Sequence, residues 1–193
     1  MSTPDECSTE GFSQTACGFV VEFADIVALK RMNPGGAGYS NPYELGHENY
    51  GSWEYCELRP YINETIYISL PLELKEVVID TKVITGHGNQ DSNNFTTTDK
   101  LYLLSGTEVF ARSSDDTSGE FTRQLDYYTV ENVTSTTNTN IPTKLYEGTS
   151  SKWWLRNPYK FNAGFTIVQY SGYYDYGYAS TELYGVSPAF RIG

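Results

Sequence analysis

Residues 153–193 read WWLRNPYKFNAGFTIVQYSGYYDYGYASTELYGVSPAFRIG. A stiff apolar frame opens this stretch at Trp153-Trp154-Leu155-Arg156 and closes it at Gly185-Val186-Ser187-Pro188-Ala189-Phe190-Arg191-Ile192. Between them stand Tyr159, Tyr170, Tyr173, Tyr174, Tyr176, Tyr178 and Tyr184, set among Ser, Gly, Asn, Asp and Thr: seven tyrosines within 26 residues. A core strand is not built this way. Tyrosine offers a large, rigid contact area with a polar tip, and fixing its few rotamers costs little entropy, which is why binding loops of antibodies use the same mixture. The stretch reads as a recognition surface on a fixed scaffold. The competing reading is a tyrosine-rich hairpin packed on a neighbour, because aromatic residues favour strands. Tyr174, Tyr176 and Tyr178 recur with period two, so one strand face carries all three. Exposed together, they form an aromatic patch that calls for a partner.

Working outward, residues 153–156, 165–170 and 173–179 are predicted strands, with Ser171-Gly172 as the turn between the last two. Residues 188–192 close the chain as a further strand. Upstream, residues 19–27 have the β-branched and aromatic density of a buried strand. Residues 32–42 are a Gly/Pro/Asn loop. Leu58, Tyr61, Ile62 and Ile66 fall at helical spacing and predict a helix over 53–69, with Pro60 in its first turn. A second helix is expected over 71–77, then a strand near 77–84, a polar loop over 86–98 and a short strand over 100–104. A helical step at 107–110, a polar loop at 112–119, a short helix at 122–128 and an irregular Thr/Asn-rich stretch at 130–142 follow. Residues 1–18 are expected to be a flexible lead-in. The expected architecture is an α+β domain over 19–193 with its first and last strands paired. Its long loops point to function rather than to connection alone.

A chain of 193 residues can bury a substantial core. The net charge of −11 argues against nucleic acid and anionic membranes, which need clustered Lys and Arg. No stretch reaches the ~20 apolar residues of a membrane span; the best candidate, residues 17–29, is interrupted by Glu22 and Asp25. The acidic, polar N-terminus does not read as a secretory leader. Cys7, Cys17 and Cys56 form no CxxC pair, and His47 and His87 are the only histidines, so no zinc site of usual spacing assembles. A Cys7–Cys17 bridge would leave Cys56 over, and free, partly buried thiols are the expected state.

Several ordered blocks carry a family resemblance: Phe19-Val-Val-Glu-Phe-Ala-Asp-Ile26, Ile79-Asp-Thr-Lys-Val83, Gly86-His-Gly88, Asp99-Lys-Leu-Tyr-Leu-Leu-Ser105, Arg123-Gln-Leu-Asp-Tyr-Tyr128, Trp153-Trp-Leu-Arg156 and Val186-Ser-Pro-Ala-Phe-Arg-Ile192. Together they resemble a bacterial and phage domain family, frequent in gut Firmicutes, whose blocks end in a WWLRS…GVxPAFRI pattern. That family is similar to the variable proteins of diversity-generating retroelements. The resemblance implies a C-type-lectin-like fold, related to that of formylglycine-generating enzymes, with two helices and long irregular loops. It also implies a C-terminal segment, about 157–184, whose adenine-mutagenised codons change side chains on a constant frame. Trp153, Trp154, Leu155, Arg156, Phe165, Val168, Gly172, Ala179, Gly185, Val186, Pro188, Ala189, Phe190, Arg191 and Ile192 fall at frame positions. Asn157, Tyr159, Lys160, Phe161, Asn162, Thr166, Gln169, Tyr170, Tyr173, Tyr174, Asp175, Tyr176, Tyr178, Ser180, Thr181, Glu182 and Tyr184 fall where such relatives differ. An Asn codon mutagenised at adenines yields Tyr, Ser, Asp, Gly and Thr, the residues seen here; Lys160, Gln169 and Glu182 need other starting codons, and Pro158 stands where Ala is expected.

The resemblance also permits tests on chemistry. Formylglycine-generating enzymes work through a cysteine pair in the C-terminal half, and no cysteine follows Cys56. Related iron sulfoxide synthases need three histidines, and two exist here. No GxSxG, HExxH or Walker loop occurs. The calcium-lectin triplets Glu-Pro-Asn, Gln-Pro-Asp and Trp-Asn-Asp are also missing. The expectation is a non-enzymatic ligand- or receptor-binding protein with no cofactor and no metal. Its setting would be phage host recognition, on a tail, or bacterial surface adhesion. The expected partner is a cell-surface protein or glycan, without nucleic acid or membrane insertion, and a homo-oligomer or larger carrier protein fits the same reading. The tyrosines would supply anchor contacts, and Asn162, Asp175, Ser180 and Glu182 adaptable hydrogen bonds. The alternative is a structural accessory domain of a tail or surface assembly, its tyrosines at a fixed subunit interface.

Overall fold

Strands carry most of the regular structure in the computed structural model, which describes residues 5–34, 49–111, 120–135, 140–160 and 164–193. In chain order the strands are Phe19–Glu22 (β1), Ala28–Lys30 (β2), Val78–Ile79 (β3), Thr81–Thr85 (β4), Phe95–Asp99 (β5), Lys144–Tyr146 (β6), Thr149–Ser151 (β7), Trp153–Pro158 (β8), Gly164–Val168 (β9), Tyr174–Tyr178 (β10), Tyr184–Val186 (β11) and Ala189–Ile192 (β12). The helices are short: Ser52–Tyr55 (α1), Leu58–Pro60 (α2) running through a π-helical Tyr61–Ile66 into Tyr67–Ser69 (α3), then Leu72–Val77 (α4), Gly106–Phe110 (α5) and Asp126–Val130 (α6). The protein is thus a mixed α+β fold dominated by sheets. The helical run over 58–69 follows its apolar spacing: Leu58, Ile62 and Ile66 are buried, and Pro60 sits in the first turn.

The first and last strands do pair. β1 runs antiparallel to β12, Phe19 opposite Ile192 and Glu22 opposite Ala189, and β3 flanks β12 on its far side. A five-stranded sheet has the order β10-β9-β8-β11-β2, so the Tyr-rich strand β10 lies at an edge. β8 and β9 are buried at every residue, which is why they read as apolar runs rather than alternations. The indole N–H groups still need acceptors. Trp153 donates to Pro142 O at 2.9 Å and Trp154 to Lys30 O at 2.8 Å, tying β8 to the 142 loop and to β2.

Several sequence expectations are corrected. The run 19–27 is not one buried strand: β1 ends at Glu22, Phe19 is 63% exposed, and β2 joins the other sheet. The polar stretch 86–98 contains β5, whose Thr96, Thr97 and Thr98 pair with β4; threonine's β-branching suits a strand despite its polarity. Residues 100–104 make no strand. Their backbone is satisfied piecemeal: the Asn63 amide bonds residues 100 and 101, Tyr102 exchanges two bonds with Ala189, and Arg156 bonds Leu103 and Leu104. The short helix expected at 122–128 lies at Asp126–Val130, and β6, β7 and β11 were not foreseen. The loop at 112–119 lies outside the described residues, as do His47 and much of the loop at 32–42.

The N-terminal segment is also built into the fold. Ser13, Thr15, Ala16 and Cys17 are buried, and Ser13 Oγ accepts the Ile84 N–H at 3.1 Å. Cys7 and Cys17 form a disulfide, against the expectation of free thiols. A ten-residue separation brings their Cα atoms to 5.9 Å, within bridging range. Cys56 alone is free among the cysteines, and burial pushes its thiol up to about 12.

Candidate functional site: a tyrosine-lined sheet edge

The pairing of β10 with β9 places Tyr174, Tyr176 and Tyr178 opposite Val168, Thr166 and Gly164, all on one face. Asp175 and Gly177 take the other face, opposite Ile167 and Phe165. The tyrosine row is graded. Tyr174 is half-buried, its ring edge-on to Phe110 of α5 at 5.6 Å. Tyr176 stacks on Tyr159 with centroids 4.4 Å apart and planes 12° from parallel, and Tyr178 meets Tyr176 edge-on at 6.1 Å. Tyr176 and Tyr178 remain 36% and 48% exposed. Tyr170 and Tyr173 are exposed around the turn at Gly172, whose φ of +83° suits glycine. None of the seven rings is buried.

The opposite face carries a second aromatic group. Tyr184 packs on Trp154 at 4.8 Å, with the Lys152 ammonium 5.2 Å from the phenol ring. Burial, reinforced by a hydrogen bond to Glu182, raises the Tyr184 phenol above its ordinary pKa.

Frame and variable positions separate by burial. Every frame residue carried over from the resemblance is buried except Arg191 and Ile192, which are half-buried. Tyr159, Lys160, Gln169, Tyr170, Tyr173, Tyr174, Asp175, Tyr176, Tyr178, Ser180, Thr181, Glu182 and Tyr184 are half-buried or exposed. Asn157 and Thr166, expected among the contact residues, break the pattern: both are buried. Asn157 Oδ1 accepts the Gly106 N–H at 2.8 Å at the start of α5 and the Thr166 hydroxyl at 2.7 Å. Through these bonds they brace the platform from within. Asn162 lies outside the described residues.

The expected adaptable acids are already engaged. A free sheet edge presents unpaired N–H groups, and here two are covered from within. Tyr176 N–H donates to Asp175 Oδ1 at 2.9 Å, and Tyr178 N–H to Glu182 Oε2 at 2.6 Å. Gln169 Nε2 holds the other Asp175 oxygen at 2.5 Å. The outward amides of Tyr176 and Tyr178 are therefore already engaged, and what these two residues show to solvent is their partly exposed side chains.

Behind the platform, Arg156 is fully buried. It meets Glu108 through two contacts of 2.6 and 2.7 Å, Glu120 at 2.5 Å, and Leu103 O at 3.0 Å. Burial alone would raise Glu108, but the Arg156 charge and hydrogen bonds outweigh it and hold the carboxyl below its usual range. Burial dominates at Glu120 and pushes it up to about 7, with the Glu108 charge adding to the rise and Arg156 opposing it. One guanidinium thus serves two carboxylates, and Glu108 holds the better geometry. Glu108 also closes the capping box of α5, bonding Ser105 N–H at 2.9 Å. The pattern Ser105-x-x-Glu108 was a readable signal for that cap; nothing local marks Glu120 or Thr15, which join Arg156 from distant segments. Arg191 donates to Cys17 O at 2.6 Å and so ties β12 to the N-terminal segment.

Among the described residues no group of three metal-ligating side chains assembles, and no helix is long and apolar enough to cross a membrane. His87 Nδ1 lies 2.8 Å from Gly88 O in its glycine-rich turn, and Glu73 and Glu76 are exposed on α4.

The fold and this edge define an α+β domain that presents clustered tyrosines on a buried tryptophan frame. The chain belongs to the family described as Domain of unknown function (DUF6273), whose model matches residues 25–193. No curated protein and no solved structure matches it.

Proposed function

We propose that the domain is a non-catalytic ligand- or receptor-binding protein of the diversity-generating-retroelement type, with a C-type-lectin-like fold. Its role is recognition of a cell-surface protein or glycan, in phage host recognition or bacterial surface adhesion. The observation that carries the reading is the Tyr159–Tyr176–Tyr178 cluster. These rings stand half-exposed at a sheet edge whose outward amides at Tyr176 and Tyr178 are capped internally, so contact falls to aromatic faces and phenol tips. Asn157 and Thr166 apart, the described frame and variable positions also divide by burial as a constant scaffold with changeable side chains requires.

The test is a double substitution, Tyr176→Ala with Tyr178→Ala. Both rings are partly solvated, so the melting temperature should hold within a few degrees, whereas Trp154→Ala should cost about 3–5 kcal/mol. Binding of the labelled domain to a panel of intact gut Firmicutes cells, scored by flow cytometry, should fall at least about tenfold. A double variant that binds as the wild type does would overturn the reading. A reverse transcriptase gene beside a near-copy of the segment encoding 157–184, differing at adenines, would test the retroelement assignment independently.

A further inference from the structure

Tyr159, the ring on which Tyr176 stacks, stands just beyond the end of β8. Its N–H donates to Gly164 O at 2.8 Å at the start of β9. Its carbonyl is met from a segment 110 residues away: Asn49 Nδ2 donates to Tyr159 O at 3.1 Å and to Gly164 O at 3.0 Å. Two carbonyl oxygens can face only the nitrogen of an amide, so the orientation of this side chain is set and both of its N–H bonds are used. Asn49 is 1% exposed. Both of its acceptors belong to the tyrosine cluster, since Tyr159 carries one ring and Gly164 is the β9 partner of Tyr178. One buried amide thus pins the backbone at one ring and at the strand partner of another.

Asn49 is itself held in place. Ser52 N–H donates to Asn49 O at 3.1 Å and closes the turn that enters α1. The Gly86–Asp91 stretch grips that turn at two points: Asp91 Oδ2 accepts the Gly51 N–H at 2.9 Å, and the Ser52 hydroxyl donates to Gly86 O at 2.8 Å. Gly88 is buried between them, and a Cβ there would lie 3.0 Å from both Nδ2 and Oδ1 of Asn49 and 3.1 Å from its Cγ. Any larger residue at 88 displaces the amide by a few tenths of an ångström. The glycine of the Gly86-His-Gly88 block is therefore what lets Asn49 sit where it reaches Tyr159. A contact surface whose rings are fixed before binding avoids the cost of ordering them on binding. We propose that Asn49, seated on Gly88, is a positioning residue of the tyrosine-lined site, acting through Tyr159 to set the ring on which Tyr176 stacks; this rests on the binding role proposed above for these rings.

The test has two readouts on the full chain. Nuclear magnetic resonance with labelled tyrosine and tryptophan reads the Tyr159–Tyr176 ring contact with no ligand present. Asn49→Ala, and the milder Gly88→Ala, which keeps the amide but shifts it, should weaken that contact while the Trp154–Tyr184 contact holds. Binding to the same panel of intact gut Firmicutes cells, scored per folded molecule well below Tm, should weaken about tenfold for Asn49→Ala, equivalent to about 1.4 kcal/mol, and by less for Gly88→Ala. The loss should not add to that of Tyr159→Ala: residues that act through one another are non-additive, so the double variant should bind as Tyr159→Ala does. Should Asn49→Ala fail to fold, Gly88→Ala carries the same comparison. A merely structural Asn49 would lower Tm and leave the ring contact and the binding per folded molecule unchanged, and that result overturns the proposal, as do additive losses. If Tyr176→Ala with Tyr178→Ala binds cells as the wild type does, the binding role fails, and the ring contact still decides by itself whether Asn49 sets Tyr159.

Discussion

Gly177→Ala tests whether β10 is clamped from its inner face. Gly177 is buried opposite Phe165 and looks away from the exposed tyrosines. A Cβ placed there would lie 2.4 Å from Tyr184 Cε2, 2.9 Å from Glu182 Oε2 and 3.1 Å from Trp154 Cη2. Carbon atoms pack at about 3.5–4.0 Å, so the Tyr184 ring must retreat by about 1 Å. It cannot retreat into Trp154, which it already touches at 4.8 Å between centroids and whose N–H is fixed on Lys30 O. The ring and Glu182 must swing outward together, and Glu182 then loosens its cap on Tyr178 N–H. Overpacking of this kind costs about 1–3 kcal/mol. For a chain of this size that lowers Tm by roughly 2–12 °C. Differential scanning calorimetry reads the loss, tryptophan fluorescence reads the disturbed Trp154–Tyr184 contact, and cell binding should weaken as the tyrosine row loosens. Gly177→Val should cost more. A Gly177→Ala protein with unchanged Tm and unchanged fluorescence would refute the claim that Trp154 and Tyr184 hold the strand.

Asn157→Ala should destabilise the fold by about 1–3 kcal/mol in urea denaturation, because the Gly106 N–H and Thr166 hydroxyl lose a shared buried acceptor; a change in cell binding without that loss would return Asn157 to the contact surface. Glu120 titrates higher in the folded state than its ordinary 4.5, so its favourable contribution is complete below that value and is lost as pH rises through about 7. Wild-type stability should therefore fall between about pH 5 and 7 relative to Glu120→Gln, which keeps the shape without the proton; matching pH profiles for the two proteins would show that Glu120 does not carry the linkage. Replacing Cys7 and Cys17 together with serine opens a loop spanning a separation of ten residues and should cost about 2–3 kcal/mol in calorimetry, with faster proteolysis of the N-terminal segment as the structural readout.

The C-terminal half was the more legible because its signals are local. Trp153-Trp154-Leu155, the Ser171-Gly172 turn and the period-two tyrosines each declare a strand, a turn and a face within a few residues. β5 and β7 were illegible because threonine and serine runs look like loops until a partner strand takes up their backbone. Residues 100–104 erred the other way: their apolarity reflects burial, while their backbone bonds come from Asn63, Ala189 and Arg156, which no local pattern reveals. The candidate site divided along the same line. That tyrosines gather between frame blocks was readable. That Asn157 and Thr166 are buried was not, because a polar residue in a mixed stretch looks the same whether it caps a helix or meets water.

By itself, the chain's order of residues determined a β-rich C-terminal half, a helical run expected over 53–69 and formed continuously from 58 to 69, and a row of phenol rings on one strand face, since each follows from short-range periodicity. Only the three-dimensional arrangement decided that this strand lies at a sheet edge. It also decided that Asp175 and Glu182 cap the outward amides of Tyr176 and Tyr178, and that Arg156 draws Glu108 and Glu120 together. All of these depend on which distant segments become neighbours, and that is set by the packing of the whole core rather than by any stretch of it.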